Sequence, residues 1–342
     1  MTKAIAVYQY LPTDHPNCFE LVEIDKPQPK DRDLLVRIKA ISVNPVDYKV
    51  RSSIKEKQTE PKILGWDAAG IVEAVGENTS LFRVGDEVMF AGSVIRPGSY
   101  SEYQLVDERI VGKKPSNLSF EEAAALPLTT ITAWEALFER LEIKAEPTVQ
   151  NQNSTILIIN GAGGVGSIAI QLAKQVAGLK VIATASRYET MAWCRQMGAD
   201  ECINHHKQFK HELNKIGISS VDYILCLHST DLHWQNMADV IKPQGRICSI
   251  VGNQEPLDLN ILKSKSVTFA WEFMFTKSKY STEDMHTQGE LLNKVSELCE
   301  RGIIKTTLKT NFGSLNTHNL AQAHAQLESG TTIGKIVLSE ID

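Results

Sequence analysis

The chain has 342 residues, of which 42% are hydrophobic and 23% charged, with a formal net charge of −5. This composition excludes intrinsic disorder, and the length predicts two domains on a prior of about 150 residues each. The acidic balance without a basic stripe argues against nucleic acid as a partner. No apolar run reaches the ~18 residues of a membrane span, and the first residues are too briefly apolar for a signal peptide. We therefore expect a cytoplasmic protein without membrane contact.

The first part of the chain has the pattern of a β-rich domain. Short apolar segments separated by Pro, Gly and Asp predict strands at residues 4–8, 34–41, 68–75, 87–90 and 101–106. Ser119 is a candidate N-cap with acidic residues close behind it, which predicts a helix over 119–126. A second helix is expected over 128–141, followed by a polar connector.

From Thr155 onward, strands and helices alternate. Strands are predicted at 155–160, 180–185, 201–204, 221–226, 246–251 and 266–273, with helices at 164–177, 188–197 and 233–241. This alternation indicates a parallel sheet with right-handed crossovers. Helices at 288–301 and 319–329 and a last strand at 335–338 complete the expected α/β fold.

A glycine-rich turn lies between the first strand and helix of this alternating region. The segment is Gly161-Ala162-Gly163-Gly164-Val165-Gly166. In a dinucleotide site the first Gly allows the tight turn, the second lets the backbone approach the pyrophosphate, and the third lets helix and strand pack closely. The pyrophosphate binds at the helix N-terminus, where free N–H groups and the helix dipole favour negative charge. The segment therefore predicts a dinucleotide site.

The end of the second strand of this region predicts which dinucleotide binds. An acidic residue there binds the ribose 2′-hydroxyl of NAD, but the chain has Ser186 and Arg187 instead. Arg187 can pair with a 2′-phosphate and Ser186 can donate to it, so we predict NADP(H). His205, after the third strand, can reach the same phosphate or can be an exposed loop histidine. Backbone groups of Val251, after a later strand, can approach the nicotinamide.

The cysteines are scattered without a C-x-x-C pair, which predicts free thiols rather than a disulfide framework. Two Cys/His groupings have loosely metal-like spacing, but their positions in loops and at a strand end make metal binding the less favoured interpretation. They are Cys202 with His205, His206 and His211, and Cys226 with His228 and His233.

Several further segments are similar to zinc-free quinone oxidoreductases of the medium-chain dehydrogenase/reductase superfamily, a branch often labelled zinc-type alcohol dehydrogenase-like. These segments are Asn44-Pro45-Val46-Asp47-Tyr48, Gly98-Ser99-Tyr100-Ser101-Glu102-Tyr103, Ala123-Ala124-Ala125-Leu126-Pro127 and Gly334-Lys335-Ile336-Val337-Leu338. The resemblance covers nearly the whole chain. It implies a GroES-like catalytic domain over 1–127, a Rossmann-type doubly wound NADP-binding domain over 128–273, and a C-terminal segment, 274–342, that returns to the catalytic domain.

The resemblance also implies a chemistry: NADPH-dependent reduction of quinones or α,β-unsaturated carbonyls by a homodimer. The oxygen that becomes negative needs a hydrogen-bond donor or an acid, and Tyr48 and Asn44 are the candidates, with Asp47 as an orienting group. Thr130 is implied to lie near the nicotinamide, and Lys335 to contact the cofactor. Plain turn chemistry for Asn44-Pro45 and a core role for Tyr48 remain open.

Zinc-dependent members of the superfamily carry metal ligands that this chain lacks. Where they have an early Cys and a Gly-His-Glu, this chain has Asn44 and Gly65-Trp66-Asp67, and residues 90–113 contain no Cys. Since zinc needs three or four N, S or O ligands, we predict no metal. An NADP-dependent alcohol or aldehyde dehydrogenase with a distant metal site, and a non-catalytic NADPH-binding sensor or scaffold, remain as alternatives.

Overall fold

The computed structural model describes all residues, Met1–Asp342. The backbone forms two compact units, one of Met1–Ile131 with Phe275–Asp342 and the other of Thr132–Met274. None of the helices is both long and apolar enough to cross a membrane.

The strands are β1 (Thr2–Val7), β2 (Glu20–Ile24), β3 (Asp33–Val43), β4 (Lys62–Ile63), β5 (Ala68–Val75), β6 (Glu87–Phe90), β7 (Tyr103–Asp107), β8 (Val111–Lys113), β9 (Thr155–Ile159), β10 (Lys180–Thr184), β11 (Glu201–Ile203), β12 (Val221–Cys226), β13 (Ile241–Ser249), β14 (Thr268–Trp271), β15 (Leu308–Leu315) and β16 (Lys335–Ile341). The helices are α1 (Pro45–Ser53), α2 (Phe120–Ala124), α3 (Pro127–Trp134), α4 (Val149–Gln152), α5 (Gly164–Gln171), α6 (Tyr188–Gln196), α7 (Phe209–Lys215), α8 (Thr230–Val240), α9 (Asn260–Lys263), α10 (Thr276–Tyr280), α11 (Thr287–Glu300) and α12 (Thr317–Glu328). Wider π-helical turns, Glu135–Arg140 and Leu172–Val176, continue α3 and α5.

The first unit is built on two mainly antiparallel sheets. One has the order β2-β1-β4, and the other has β15-β16-β3-β5-β6-β8, with β7 also paired to β3. The last strand, β16, runs antiparallel to β3 and pairs Ile336 with Val43. This register brings Lys335 next to Asn44, which directly follows β3.

The second unit is a six-stranded parallel sheet in the order β11-β10-β9-β12-β13-β14. Its strands are rich in Ile, Leu and Val because helices cover both faces of such a sheet. Chain order reverses between β9 and β12, and ligands of open α/β sheets bind outside the carboxyl ends of the strands at such a point. The predicted Rossmann-type fold with a β-rich domain is confirmed.

Several elements differ from the sequence prediction. The Asn44-Pro45 segment begins α1 rather than forming a plain turn, since Pro fits the first helical position and the Asp47 side chain accepts the Asn44 N–H. The helix expected from His233 begins at Thr230. Strands β2 and β15 and helix α7 were not predicted, because their apolar residues are few and their outer faces are polar.

Candidate cofactor and catalytic sites

The glycine turn joins β9 to α5 in the geometry expected of a dinucleotide cradle. Asn160 adopts φ +65°, a left-handed conformation that Asn tolerates, and its N–H donates to Thr184 Oγ1 on β10 at 2.9 Å. Gly163 precedes α5 as its N-cap without a capping side chain, so the first-turn N–H groups keep no side-chain acceptor. A phosphate would satisfy them.

The glycines of the turn have different steric roles. A Cβ on Gly166 would lie 2.5 Å from the carbonyl oxygen of Gly161 and 2.6 Å from that of Asn160, so this position holds helix against strand. A Cβ on Gly163 would have no neighbour closer than 3.4 Å. Gly163, half-buried at the tip, therefore leaves room for a ligand rather than for the protein. The residues present fit a dinucleotide.

The residues proposed to select the cofactor follow β10. Ser186 is half-buried and Arg187 is exposed at the N-cap of α6. Thr184, two residues before Ser186, accepts from the turn and lies 3.3 Å from Nδ1 of His205. His205 therefore lies beside the strand that carries the turn's hydrogen-bond partner.

His205 belongs to a group of histidines at the carboxyl ends of β11 and β12. Its ring centroid lies 4.5 Å from that of His206 and 6.5 Å from that of His233, which stacks on Phe209. Burial lowers the pKa of His205, and the neighbouring His206 and His228 lower it further. Burial also lowers the pKa of His233 to about 4, with smaller contributions from His205, His228 and His206. No three His, Cys, Asp or Glu side chains in the chain are arranged to hold a metal ion.

Val251 follows β13, as expected, but its carbonyl is already engaged. It accepts a hydrogen bond from the Thr230 hydroxyl and a longer one from Ser249 Oγ. The backbone carbonyl of Val251 is therefore used within the protein, while the next residue, Gly252, is exposed.

In the first unit, Lys335 lies within a buried cluster. Its ammonium donates to the Val43 carbonyl at 3.0 Å, to Asn44 Oδ1 at 2.5 Å and to Asp67 Oδ2 at 3.0 Å. The exposures of Lys335, Asn44 and Asp67 are only 3%, 1% and 1%. An ammonium has three hydrogens, and all three are used here. Lys335 keeps no donor for the cofactor contact that the resemblance implied.

The side-chain amide of Asn44 likewise has all its N–H groups in hydrogen bonds within the protein. Its Nδ2 donates to the Ser42 carbonyl at 3.2 Å and to Asp67 Oδ2 at 3.0 Å, while Oδ1 accepts from Lys335. Asp67 Oδ1 accepts the Leu128 N–H at 3.0 Å. Burial raises the pKa of Asp67, and the Lys335 ammonium opposes that shift. In this arrangement Asn44 has no free N–H for a substrate oxygen and acts as a positioning group.

Asp47 is the first member of a second buried row of hydrogen-bonded side chains. Its Oδ2 accepts the Asn44 N–H at 2.8 Å and the Tyr100 hydroxyl at 2.7 Å, and the Tyr100 hydroxyl lies 3.0 Å from His324 Nε2. Burial raises the pKa of Asp47 to about 7, against the two hydrogen bonds and Lys335. Burial lowers the pKa of His324 to about 3. Asp47 Oδ1 and His324 Nδ1 have no partner.

Tyr48 and Thr130 keep polar groups that the protein does not use. Tyr48 is half-buried on α1, and its hydroxyl has no hydrogen-bond partner within the protein. Burial and the nearby Glu328 carboxylate raise its pKa, so the hydroxyl is protonated and able to donate at neutral pH. Thr130 Oγ1 is buried on α3 without a partner. Both fit groups that await a ligand.

Sequence analysis missed most of the buried network. Tyr100 was noted only as part of a segment similar to the quinone oxidoreductases, but its hydroxyl links Asp47 and His324. Gly65 marks the contact, since its φ is +97° and a Cβ there would lie 2.4 Å from the Tyr100 ring. Asp67 was noted only because it stands where zinc-dependent relatives carry Glu, and His324 carried no local signal.

Comparison with known proteins identifies the family to which the chain belongs. One family model, described as alcohol dehydrogenase GroES-like domain, matches residues 30–116, and another, described as zinc-binding dehydrogenase, matches residues 197–338. The zinc-type alcohol dehydrogenase-like protein of Staphylococcus epidermidis is 44% identical over 337 residues, covering 98% of this chain and 99% of that protein. The chain belongs to the medium-chain dehydrogenase/reductase superfamily. Its members with solved structures extend the comparison.

A crystal structure from Rhizobium etli, provisionally assigned as a zinc-dependent alcohol dehydrogenase, has TM-score 0.94 and 47% identity, covering 100% of this chain and 98% of that one. The NADPH complex of Escherichia coli quinone oxidoreductase has TM-score 0.81 and 25% identity, covering 98% of this chain and 99% of that one. An NAD-dependent alcohol dehydrogenase has TM-score 0.81 and 26% identity over 99% of both chains.

A more distant relative is the 2-methylene-furan-3-one reductase of Solanum lycopersicum. It is 31% identical over 324 residues, covering 92% of this chain and 74% of that protein. Together the relatives show that this chain is an oxidoreductase of the superfamily with a nicotinamide cofactor.

The zinc implied by the matching family description does not fit the residues present. Trp66 is fully buried, and its Nε1 donates to the Ser93 carbonyl at 3.0 Å, so it offers no ligand atom. The nearby oxygens of Asn44 and Asp67 already surround the Lys335 ammonium. Zinc prefers N and S ligands, and none is contributed here.

Proposed function

We propose that this protein is an NADPH-dependent reductase of quinones or α,β-unsaturated carbonyls that works without zinc. The observation that carries the proposal is the second strand of the parallel sheet, which ends in Ser186-Arg187 where NAD-binding proteins carry a carboxylate. The NADPH complex of the E. coli quinone oxidoreductase and the tomato furanone reductase support the cofactor and the substrate class.

When bound at the glycine turn, NADPH would supply the hydride for the electron-poor carbon of the substrate. The substrate oxygen then carries the negative charge of an enolate or hydroquinone anion and takes up a proton from the protein or from water. Tyr48 is suited to that oxygen because its hydroxyl is half-buried, protonated and without a hydrogen-bond partner within the protein. Asn44 and Asp47 act through the backbone, since their hydrogen bonds fix the start of α1.

The first test is activity. Purified protein with NADPH is expected to reduce members of a panel of quinones and enals, followed by loss of nicotinamide absorbance. Tyr48→Phe should lower turnover by ~10- to 100-fold, the size of a general acid–base contribution, with little change in NADPH affinity. Tyr8→Phe, which leaves the α1 segment intact, is the matched control. Tight NADPH binding without reduction of any panel member would favour the non-catalytic sensor.

The second test addresses the cofactor. Arg187→Ala should reduce the preference for NADPH over NADH by about tenfold or more, because a charge-assisted pair with phosphate contributes about 1–3 kcal/mol. Arg195→Ala removes an equal charge from the same helix and should leave the preference intact. Dissociation constants of both cofactors from fluorescence titration give the ratio. An unchanged ratio in Arg187→Ala contradicts the assignment to NADP(H).

An NADP-dependent alcohol or aldehyde dehydrogenase remains the second candidate because the matching family description names zinc. Stoichiometric zinc in the purified protein, together with oxidation of alcohols, would favour it.

A further inference from the structure

The cation of the buried cluster in the first unit is the ammonium of Lys335, which is part of the protein itself. Its three acceptors are contributed by the end of β3 (Val43), the residue before α1 (Asn44) and the residue before β5 (Asp67). Lys335 itself comes from the last strand, 268 residues beyond Asp67 in the chain. The ammonium therefore joins three separate chain segments at one point: Val43-Asn44, Asp67 and the start of β16.

We propose that the Lys335 ammonium is the resident cation of this site: it replaces a metal ion and holds the segment Asn44–Tyr48 in position for catalysis. This inference rests on the proposed function only in treating that segment as catalytic. Lys335 is then a positioning residue, since it acts on substrate through Asn44 and α1 and not by contact.

Charge balance supports an ammonium over a divalent ion. Asp67 is the one carboxylate bonded to Lys335, so the pair is neutral, and a buried charge is tolerated only when it is paired and hydrogen-bonded. A divalent ion bound to the same three oxygens would keep an excess positive charge, because Val43 and Asn44 contribute neutral acceptors. No hydrogen bond joins Lys335 to the nearby Asp47 carboxylate, whose Oδ2 accepts from the Tyr100 hydroxyl and the Asn44 N–H.

The path from Lys335 to the catalytic segment is short. The ammonium fixes both the Val43 carbonyl and the Asn44 side chain, and the Asn44 N–H donates to Asp47 in the first turn of α1. Tyr48 is the next residue of that helix. Loss of the ammonium would leave the buried Asp67 carboxylate without its cation and would release the start of α1.

The experiment combines metal analysis with a double-mutant cycle. Wild-type protein expressed with added zinc is expected to contain less than ~0.1 zinc per chain and to keep full activity after treatment with 1,10-phenanthroline. Lys335→Met should lower kcat by ~10- to 100-fold, because misplacement of a reacting group is costly, while the Kd for NADPH changes less than about threefold. Lys294→Met removes an exposed lysine and serves as the control.

Thermal unfolding gives a readout that does not depend on the substrate. Lys335→Met and Asp67→Asn should each lower the Tm, and the double variant should lose less than the sum of the two, because it contains neither unpaired charge. About one zinc per chain with chelator-sensitive activity, additive Tm losses, or an unchanged kcat in Lys335→Met would each overturn the proposal. If no substrate is reduced, zinc content and Tm coupling still test Lys335 separately from the proposed function.

Discussion

Tyr100 joins two buried ionisable side chains that burial shifts in opposite directions. Its hydroxyl contacts Asp47, whose pKa is raised to about 7, and His324, whose pKa is lowered to about 3. Both shifts favour the neutral form, since a fully buried charge is costly without a partner. The chain Asp47–Tyr100–His324 is therefore built to hold few charges, unlike the neighbouring ion pair of Lys335 and Asp67.

The His324 shift predicts a loss of stability in acid. Between pH about 6.5 and about 3 the unfolded chain binds a proton that the folded chain does not, so stability falls as pH decreases through this window. At pH 5 the free energy of unfolding is lower by about 2 kcal/mol for this reason, and the His324→Gln variant should not show this decrease. Urea unfolding at pH 7.5 and pH 5 measures the difference between variant and wild type.

The raised pKa of Asp47 acts in the opposite direction. The folded chain binds the Asp47 proton more tightly than the unfolded chain, so this contribution to stability is present at low pH and is lost as pH rises from about 3.8 through about 7. This contribution is common to wild type and His324→Gln and cancels in the comparison. Equal pH dependence of the two proteins would show that His324 is not held neutral.

At the scale of elements, two glycines of the turn from β9 to α5 have different roles. Gly166 lets the helix approach the strand, whereas a Cβ on Gly163 would make only ordinary van der Waals contact with Asn160, so the glycine there is expected to serve the approach of a ligand. The helix begins without a capping side chain, which would leave its first N–H groups available to a pyrophosphate.

Alanine substitutions should separate the two roles. Gly166→Ala places a methyl group about 2.5 Å from the Gly161 carbonyl, so we expect a Tm lower by several degrees, together with loss of cofactor binding. Gly163→Ala has φ −72° and no close neighbour, so it should keep its Tm and lose only dinucleotide affinity. Differential scanning fluorimetry and fluorescence titration measure the two properties. Equal Tm losses would refute this division.

At the scale of the whole molecule, the parallel sheet ends in an exposed edge. β14 is bonded to β13 on one side and is the last strand of the sheet. Trp271 on this strand is 45% exposed, and Phe273, just beyond it, is 48% exposed. An apolar strand edge is a ready surface for pairing with a second chain. The homodimer implied by the family resemblance would use it.

We expect wild-type protein to sediment as a dimer and Trp271→Glu to sediment as a monomer. In the expected dimer a carboxylate at position 271 would be buried at the interface without a partner, which costs several kcal/mol. Tyr280→Glu, which changes an aromatic residue that is 68% exposed in the first unit, is the control. Sedimentation velocity distinguishes the species, and a monomeric wild type would exclude this dimer.

Contiguous patterns were sufficient for much of this protein. The glycine turn, the alternation of strands and helices, and Ser186-Arg187 each lie within a few residues of one another. Local sequence therefore determined the Rossmann-type fold, the dinucleotide turn and the expectation of NADP(H). The absence of zinc ligands at Asn44 and Trp66 was equally visible, because the types of donor atom are a property of the sequence.

Only the tertiary structure decided how the buried groups of the first unit are paired. Lys335 meets Asn44 across 291 residues and His324 meets Tyr100 across 224, through contacts that depend on the pairing of β16 with β3 and on the packing of α12. Strand register and burial are fixed by the whole fold, and no local pattern encodes them. The sequence showed which groups were present; the fold decided that Lys335 is a saturated internal cation and that Tyr48 keeps an unused hydroxyl.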